Sequence, residues 1–175
     1  SKNKPPLLQT EETRSQQQER QEPAESHNGI LVLPFNVESL ESSRKWLRYG
    51  AMEGVINRIA PNNDYTVFHL EDVIEIMNRL PNNSKHAKND MSMLFEKSGA
   101  SHILQTSLSG VPGELNAVYT LYSRQSRVTK AIHKKSLEAV LSHLVDELDQ
   151  MFSNDIQLNT NQTNSQLQND LIAKS

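Results

Sequence analysis

The chain contains no cysteine. That excludes disulfides, thiolate catalysis and cysteine-ligated zinc. It leaves the compartment open, because reducing cytosol and bacterial periplasm both hold cysteine-free proteins. Long hydrophobic runs are missing too. None approaches the ~18–20 residues of a membrane span, and no signal peptide is visible. The chain begins at Ser1 rather than Met and is read as a piece of a longer protein, so missing targeting signals carry no weight. Strong charge is also lacking: the net charge is -3 and the pI about 6.1. Long-range attraction to nucleic acid or to an anionic membrane is therefore not indicated. The basic residues read as scattered, with Lys130, Lys134 and Lys135 the densest group.

Apolar residues make up only 35% and the mean hydropathy is -0.63. The deficit lies at the ends. Residues 1–28 are rich in Gln, Glu, Ser and Pro, with no apolar run beyond Leu7-Leu8. Such a segment buries too little surface to offset ordering entropy, so it reads as a disordered polar tether. Residues 154–175 hold five Asn and four Gln and read as a linker or the start of a further helical region. Between them, residues 29–153 have the size of one compact domain.

This middle part carries the structural signals. Ile30 to Phe35 are almost continuously apolar, the pattern of a strand buried on both faces. Trp46, Tyr49, Met52, Val55, Ile56 and Ile59 recur at helical spacing. Ser42 or Ser43 is expected to cap that helix, and Pro61 with Asn62-Asn63 to end it. Tyr65 to Phe68 predict a short buried strand. Leu70, Val73, Ile74, Met77 and Leu80 predict a second helix, with Glu71 and Asp72 favourably placed in its first turn. A third is expected over 87–97, with Met91, Leu94 and Phe95 inward and Gly99 ending it. The period then changes. Residues 100–110 read as a strand, Pro112-Gly113 as a turn, and two alternating stretches around Arg124-Gln125-Ser126 as a hairpin. Leu115, Ala117, Tyr119 and Leu121 share one strand face; Val128, Lys130, Ile132 and Lys134 oppose Thr129, Ala131 and His133. Leu137, Val140, Leu141, Leu144, Val145, Leu148 and Phe152 predict the last helix. The order β-α-β-α-α-β-β-β-α gives a mixed α/β fold with a five-stranded sheet, parallel first and antiparallel later.

No catalytic constellation emerges. A phosphate-binding turn between the first strand and helix needs closely spaced glycines. Here Pro34-Phe35-Asn36-Val37-Glu38 stands instead, the next glycine is Gly50, and Glu38 and Glu41 repel phosphate. There is no Gly-x-Ser-x-Gly elbow. The six histidines (His27, His69, His86, His102, His133, His143) never take a metal-binding spacing. His27 and His86 read as loop residues, His102 and His133 as sheet-surface or satisfied core residues, and His143 as a polar-face residue of the last helix. His69, Asp72 and Glu75 lie close at a helix start. They read as an ordinary acidic helix N-terminus, with a proton-sensitive cluster as the other reading. Trp46 is read as core, with a partner anchor as the other reading. Asn82-Asn83-Ser84 and Asn161-Gln162-Thr163 match the glycosylation pattern within Asn-rich stretches, where chance matches are common. The expectation is a non-enzymatic domain without cofactor or metal, acting in sensing, scaffolding or interaction; no binding residues are assigned.

Several segments together resemble the TolB amino-terminal-like domains. "ILVLPFN" at 30–36 resembles their opening strand, and "YGAMEGVINRIA" at 49–60 their next helix. "FEKSGASHILQTSLSG" at 95–110 and "LNAVYTLYSRQSRVTKAIHKKS" at 115–136 are similar to the following strand and hairpin. Gln105-Thr106 stands where such domains often have Glu-Gly, and the first helix keeps only Glu53 of an acidic pair. The resemblance covers 30–152. It implies a periplasmic sensor domain of a CadC-like or ToxR-like membrane-spanning regulator of bacteria, whose cytoplasmic winged helix binds DNA. Signalling would then follow a ligand, a protein partner or self-association. An envelope protein-protein scaffold of TolB-like type is the alternative, and a small-molecule-binding or enzymatic α/β domain the remaining one.

Overall fold

The computed structural model describes residues 28–59, 65–81 and 90–154. The tails predicted at 1–28 and 154–175 fall almost wholly outside these residues. So do His27, His86, both Asn-x-Ser/Thr matches, Pro61 and Asn62-Asn63.

β1 (Gly29–Val32) is followed by a 3-10 turn (Ser42–Arg44), α1 (Leu47–Arg58), β2 (Thr66–Val67), α2 (Leu70–Asn78) and α3 (Asp90–Ser98). Then come β3 (His102–Val111), β4 (Glu114–Ser123) and β5 (Arg127–Lys134). The final helix, α4, covers residues 137–154. The sheet order is β2-β1-β3-β4-β5. β1 runs parallel to β2 and β3, whereas β3-β4 and β4-β5 are antiparallel. The predicted order and the mixed five-stranded sheet are both present.

β1 is central, and Ile30, Leu31 and Val32 are fully buried. The segment after it remains structural. Leu33 N donates to Leu104 O (2.9 Å), Pro34 interrupts the ladder because it has no N–H, and Asn36 N returns to Thr106 O (2.8 Å). Phe35, Val37 and Leu40 are buried. Phe35 N donates to Arg48 O (2.9 Å) and Glu38 N to the Asn36 side chain (3.1 Å). Backbone amides that a phosphate loop would aim at a ligand are here bonded within the protein.

The two faces of the sheet differ. Leu104, Thr106 and Leu108 on β3 align with Leu121, Tyr119 and Ala117 on β4, and Ala117 aligns with Ile132 on β5. All are buried. This covered face meets α4 through the Tyr119–Glu147 hydrogen bond. α1 lies beside α4, since a Cβ on Gly54 would come within 2.7 Å of Leu141. Right-handed crossovers run in opposite directions from β1 to β2 and from β2 to β3, which puts α2 and α3 on the other face. There Leu31 and Ile103 are fully buried. Farther along that face Gln105, Ser107, Asn116, Val118, Thr129, Ala131 and His133 are exposed.

Three local expectations need correction. Trp46 is 67% exposed and Tyr49 43%. Met52, Val55 and Ile59 of the predicted stripe are buried, and Leu47 and Ala51 join them. Trp46 and Tyr49 match the 3.6 period but belong to the opposite stripe, and the Trp46 ring lies across Gly50, where a side chain would collide at 2.7 Å. Ser42 and Ser43 do not cap α1; Trp46 occupies the N-cap without a side-chain bond, and the serines form the 3-10 turn. β2 is an edge strand, its Thr66 exposed and Val67 half-buried.

Elsewhere the signals hold. Gly99 ends α3 at φ +69, with its N–H on Phe95 O at 2.9 Å. Gly113 takes φ +92 in the Pro112-Gly113 turn.

Candidate functional site

The β3–β5 meander has one face under α4 and one open. The open face is a polar lattice of cross-strand pairs. Thr120 and Thr129 hydroxyls meet at 2.9 Å, Tyr122 OH donates to Gln105 Oε1 at 3.2 Å, and His133 Nδ1 lies 2.5 Å from Asn116 Oδ1. Exposed Val118 (47%) sits among them.

β5 is the free edge of the sheet: among the described residues its only strand neighbour is β4. It is eight residues long, and Ile132 is its one buried residue. An edge strand carries a row of outward N–H and C=O groups competent to pair with another chain. The hairpin also gathers charge. Arg124, Arg127, Lys130, Lys134 and Lys135 lie on or beside this edge, and no Asp or Glu occurs between Glu114 and Glu138. Five of the basic residues therefore gather along this edge, whereas Arg44, Lys45, Arg48, Arg58, Arg79 and Lys97 lie elsewhere. A shallow cleft of about 370 Å³ lies at one end, lined by Gly99, Ala100, Ser101, Ser123, Arg124 and Gln125.

The histidines separate. His69 is exposed at the N-cap of α2, Glu71 and Asp72 lie in its first turn, and Glu75 pairs with Arg79 at 2.5 Å. His102 belongs to an aromatic group: Tyr65 stacks on Phe152 (4.7 Å), and the His102 ring meets Phe152 edge-on (5.3 Å). Its Nδ1 is 2.9 Å from Ser101 Oγ. His133 is on the open face, as above. His143 lies 2.9 Å from Glu147 Oε1.

Glu147, unassigned at the sequence level, joins a part-buried titratable network with Tyr119 and His143. It accepts from the Tyr119 hydroxyl through Oε2. Burial alone would raise the Glu147 pKa, but hydrogen bonds from Tyr119 and His143 and the Lys130 charge outweigh it and hold the carboxyl below its ordinary range. Burial, then Glu147, pushes the Tyr119 phenol well above its usual value. Burial and neighbouring Asp146 raise Asp149. Two local features fit this network without fixing it: His143 and Glu147 stand four apart on one helix, and a Tyr on an apolar strand face needs a partner for its hydroxyl. The network ties a strand to a helix and opens onto none of the cleft residues.

Among the described residues, no cluster of three or more His, Asp or Glu could hold a metal ion, and no helix is long and apolar enough to cross a membrane. Among the described residues the exposed features include the β5 edge with its basic flank, the open face, and the Trp46–Tyr49 patch at the start of α1. Arg48 stands over the Tyr49 ring at 5.4 Å.

No family model matches the chain, and no curated protein matches it. Among solved structures it is similar to TolB from Acinetobacter baumannii, at 13% identity and a TM-score of 0.48, over 73% of this chain and 28% of that one. It is similar to lipoprotein GNA1162 from Neisseria meningitidis, at 20% identity and a TM-score of 0.43, over 72% and 96% of the two chains. It is also similar to the LpoB C-terminal domain from Escherichia coli, at 18% identity and a TM-score of 0.44, over 61% and 82%. The chain thus spans about 28% of the length of the TolB structure.

Proposed function

We propose that residues 29–153 form a non-catalytic protein-interaction domain of the bacterial envelope. One observation carries the reading: the sheet ends in an eight-residue strand with a free edge beside an open face. Such an edge is a ready template for strand pairing; proteins shorten it, cover it or place charges on it to limit which chains can pair, and β5 is neither short nor covered by a further strand among the described residues. The resemblance of residues 30–152 to TolB amino-terminal-like domains supports the envelope setting. The narrower reading, a sensor domain of a membrane-spanning winged-helix regulator, draws on that resemblance alone.

The test compares full-length protein with a version lacking residues 30–152, each cross-linked in its own cells. A discrete protein adduct, present only when the domain is present, is the expected result. Identical adduct patterns with and without the domain would sink the proposal. Transcript profiles of the same two strains decide the narrower reading. A defined set of changed transcripts is what a regulator requires; unchanged transcripts leave the scaffold.

A further inference from the structure

β5 has a chemistry of its own beyond being free. Arg127 and Lys130 are exposed on it and Lys134 is half-exposed, with Arg124 and Lys135 at its two ends. The alternation of the strand puts Arg127 toward the open face and Lys130 and Lys134 toward the α4 side. An added strand would therefore run between cations above and below its own plane. Lys130 lies close enough to Glu147 on α4 for its charge to act on that carboxylate.

A second copy of the chain is a poor occupant. Antiparallel pairing of two β5 strands would bring Arg127, Lys130 and Lys134 of both copies to one seam; in the register centred on Lys130 that residue faces its counterpart, and like charges directly opposite are destabilising. Basic residues on an edge strand are a known block to self-pairing. The same residues attract a strand of opposite charge. We infer that the β5 edge captures an extended, acidic segment of a partner protein by strand addition. Main-chain hydrogen bonds would give affinity, and the cations would set the choice of partner and speed encounter. Exposed Val128 (42%) gives the added strand an apolar contact between the charges. The inference rests on the proposed interaction role and narrows it to one edge and one chemistry.

The experiment places a photoreactive benzoylphenylalanine at Thr129, or separately at Trp46, in the full-length protein in its own cells. Adducts are mapped by mass spectrometry. The expected adduct at Thr129 maps to a polypeptide segment rich in Asp and Glu. It falls tenfold or more in the Arg127→Glu/Lys134→Glu double variant. If that variant does not fold, the composition of the segment captured at Thr129 decides. Capture of a neutral or basic segment, of nucleic acid or of lipid at Thr129 overturns the inference. So does a protein adduct at Trp46 with none at Thr129, which leaves the interaction role standing on another surface. Absence of protein adducts at both positions overturns the inference and the interaction role together.

Discussion

Tyr119, in the middle of β4, donates its hydroxyl to the Glu147 carboxylate on α4, and the bond fixes the helix on the covered face of the sheet. It shapes stability against pH at both ends. Glu147 titrates below its ordinary value of 4.5 in the folded state. Its contribution is therefore present above that value and is lost as pH falls through the folded pKa. Tyr119 titrates above its ordinary 10.0. Its contribution is complete below that value and is lost as pH rises past it. Tyr119→Phe is expected to cost roughly 1.5–3 kcal/mol at neutral pH, the range for a hydrogen bond to a charged group. It should flatten the alkaline limb and weaken the acid one. Glu147→Gln should flatten the acid limb. Urea unfolding from pH 3 to 11 measures this; parallel wild-type and Tyr119→Phe profiles would contradict it.

Gly110 and Gly113 both have positive φ, +103 and +92, but their surroundings differ. A Cβ on Gly110 would lie 2.2 Å from Glu114 O, a backbone atom that cannot move aside; on Gly113 nothing lies within 4 Å. Gly113→Ala should cost only backbone strain, on the order of 1–2 kcal/mol. Gly110→Ala adds a collision and should cost more, roughly 3 kcal/mol or above. Thermal unfolding of the two variants checks the order. Equal losses would mean that strain alone governs the turn.

The strands and the last helix were legible because burial writes a simple period. β4 alternates Leu115, Ala117, Tyr119 and Leu121 on its buried side. α4 repeats Val140, Leu141, Leu144, Val145 and Leu148 inward. α1 is only partly legible, because a 12-residue helix can carry two stripes at the same spacing. Trp46 and Tyr49 looked like core by size, whereas small Ala51 and the close approach of Gly54 to Leu141 define the packed side. The basic edge was hidden for another reason. Arg124, Arg127, Lys130 and Lys134 are spaced by three or four residues and line one edge only because the segment is an edge strand and its turn. Edge position depends on strand order, which no local pattern encodes. Glu147 was hidden likewise, since its role depends on which strand lies beneath α4.

Thr106 sits on the covered face, paired in register with Tyr119 and 1% exposed. Among the described residues its Oγ1 has no hydrogen-bond partner. A buried hydroxyl without a partner costs about 1–3 kcal/mol in desolvation. Valine has nearly the same shape, favours strands equally and removes the polar atom. Thr106→Val should therefore raise stability by about 1 kcal/mol, with the fold unchanged. Leu104→Ala on the same face should lower it by roughly 2–5 kcal/mol, because it opens a cavity in a packed layer. Chemical unfolding of the pair separates the two effects. Were Thr106→Val destabilising, the hydroxyl would have a hydrogen bond in solution, and the layer between β3 and α4 would hold a buried water.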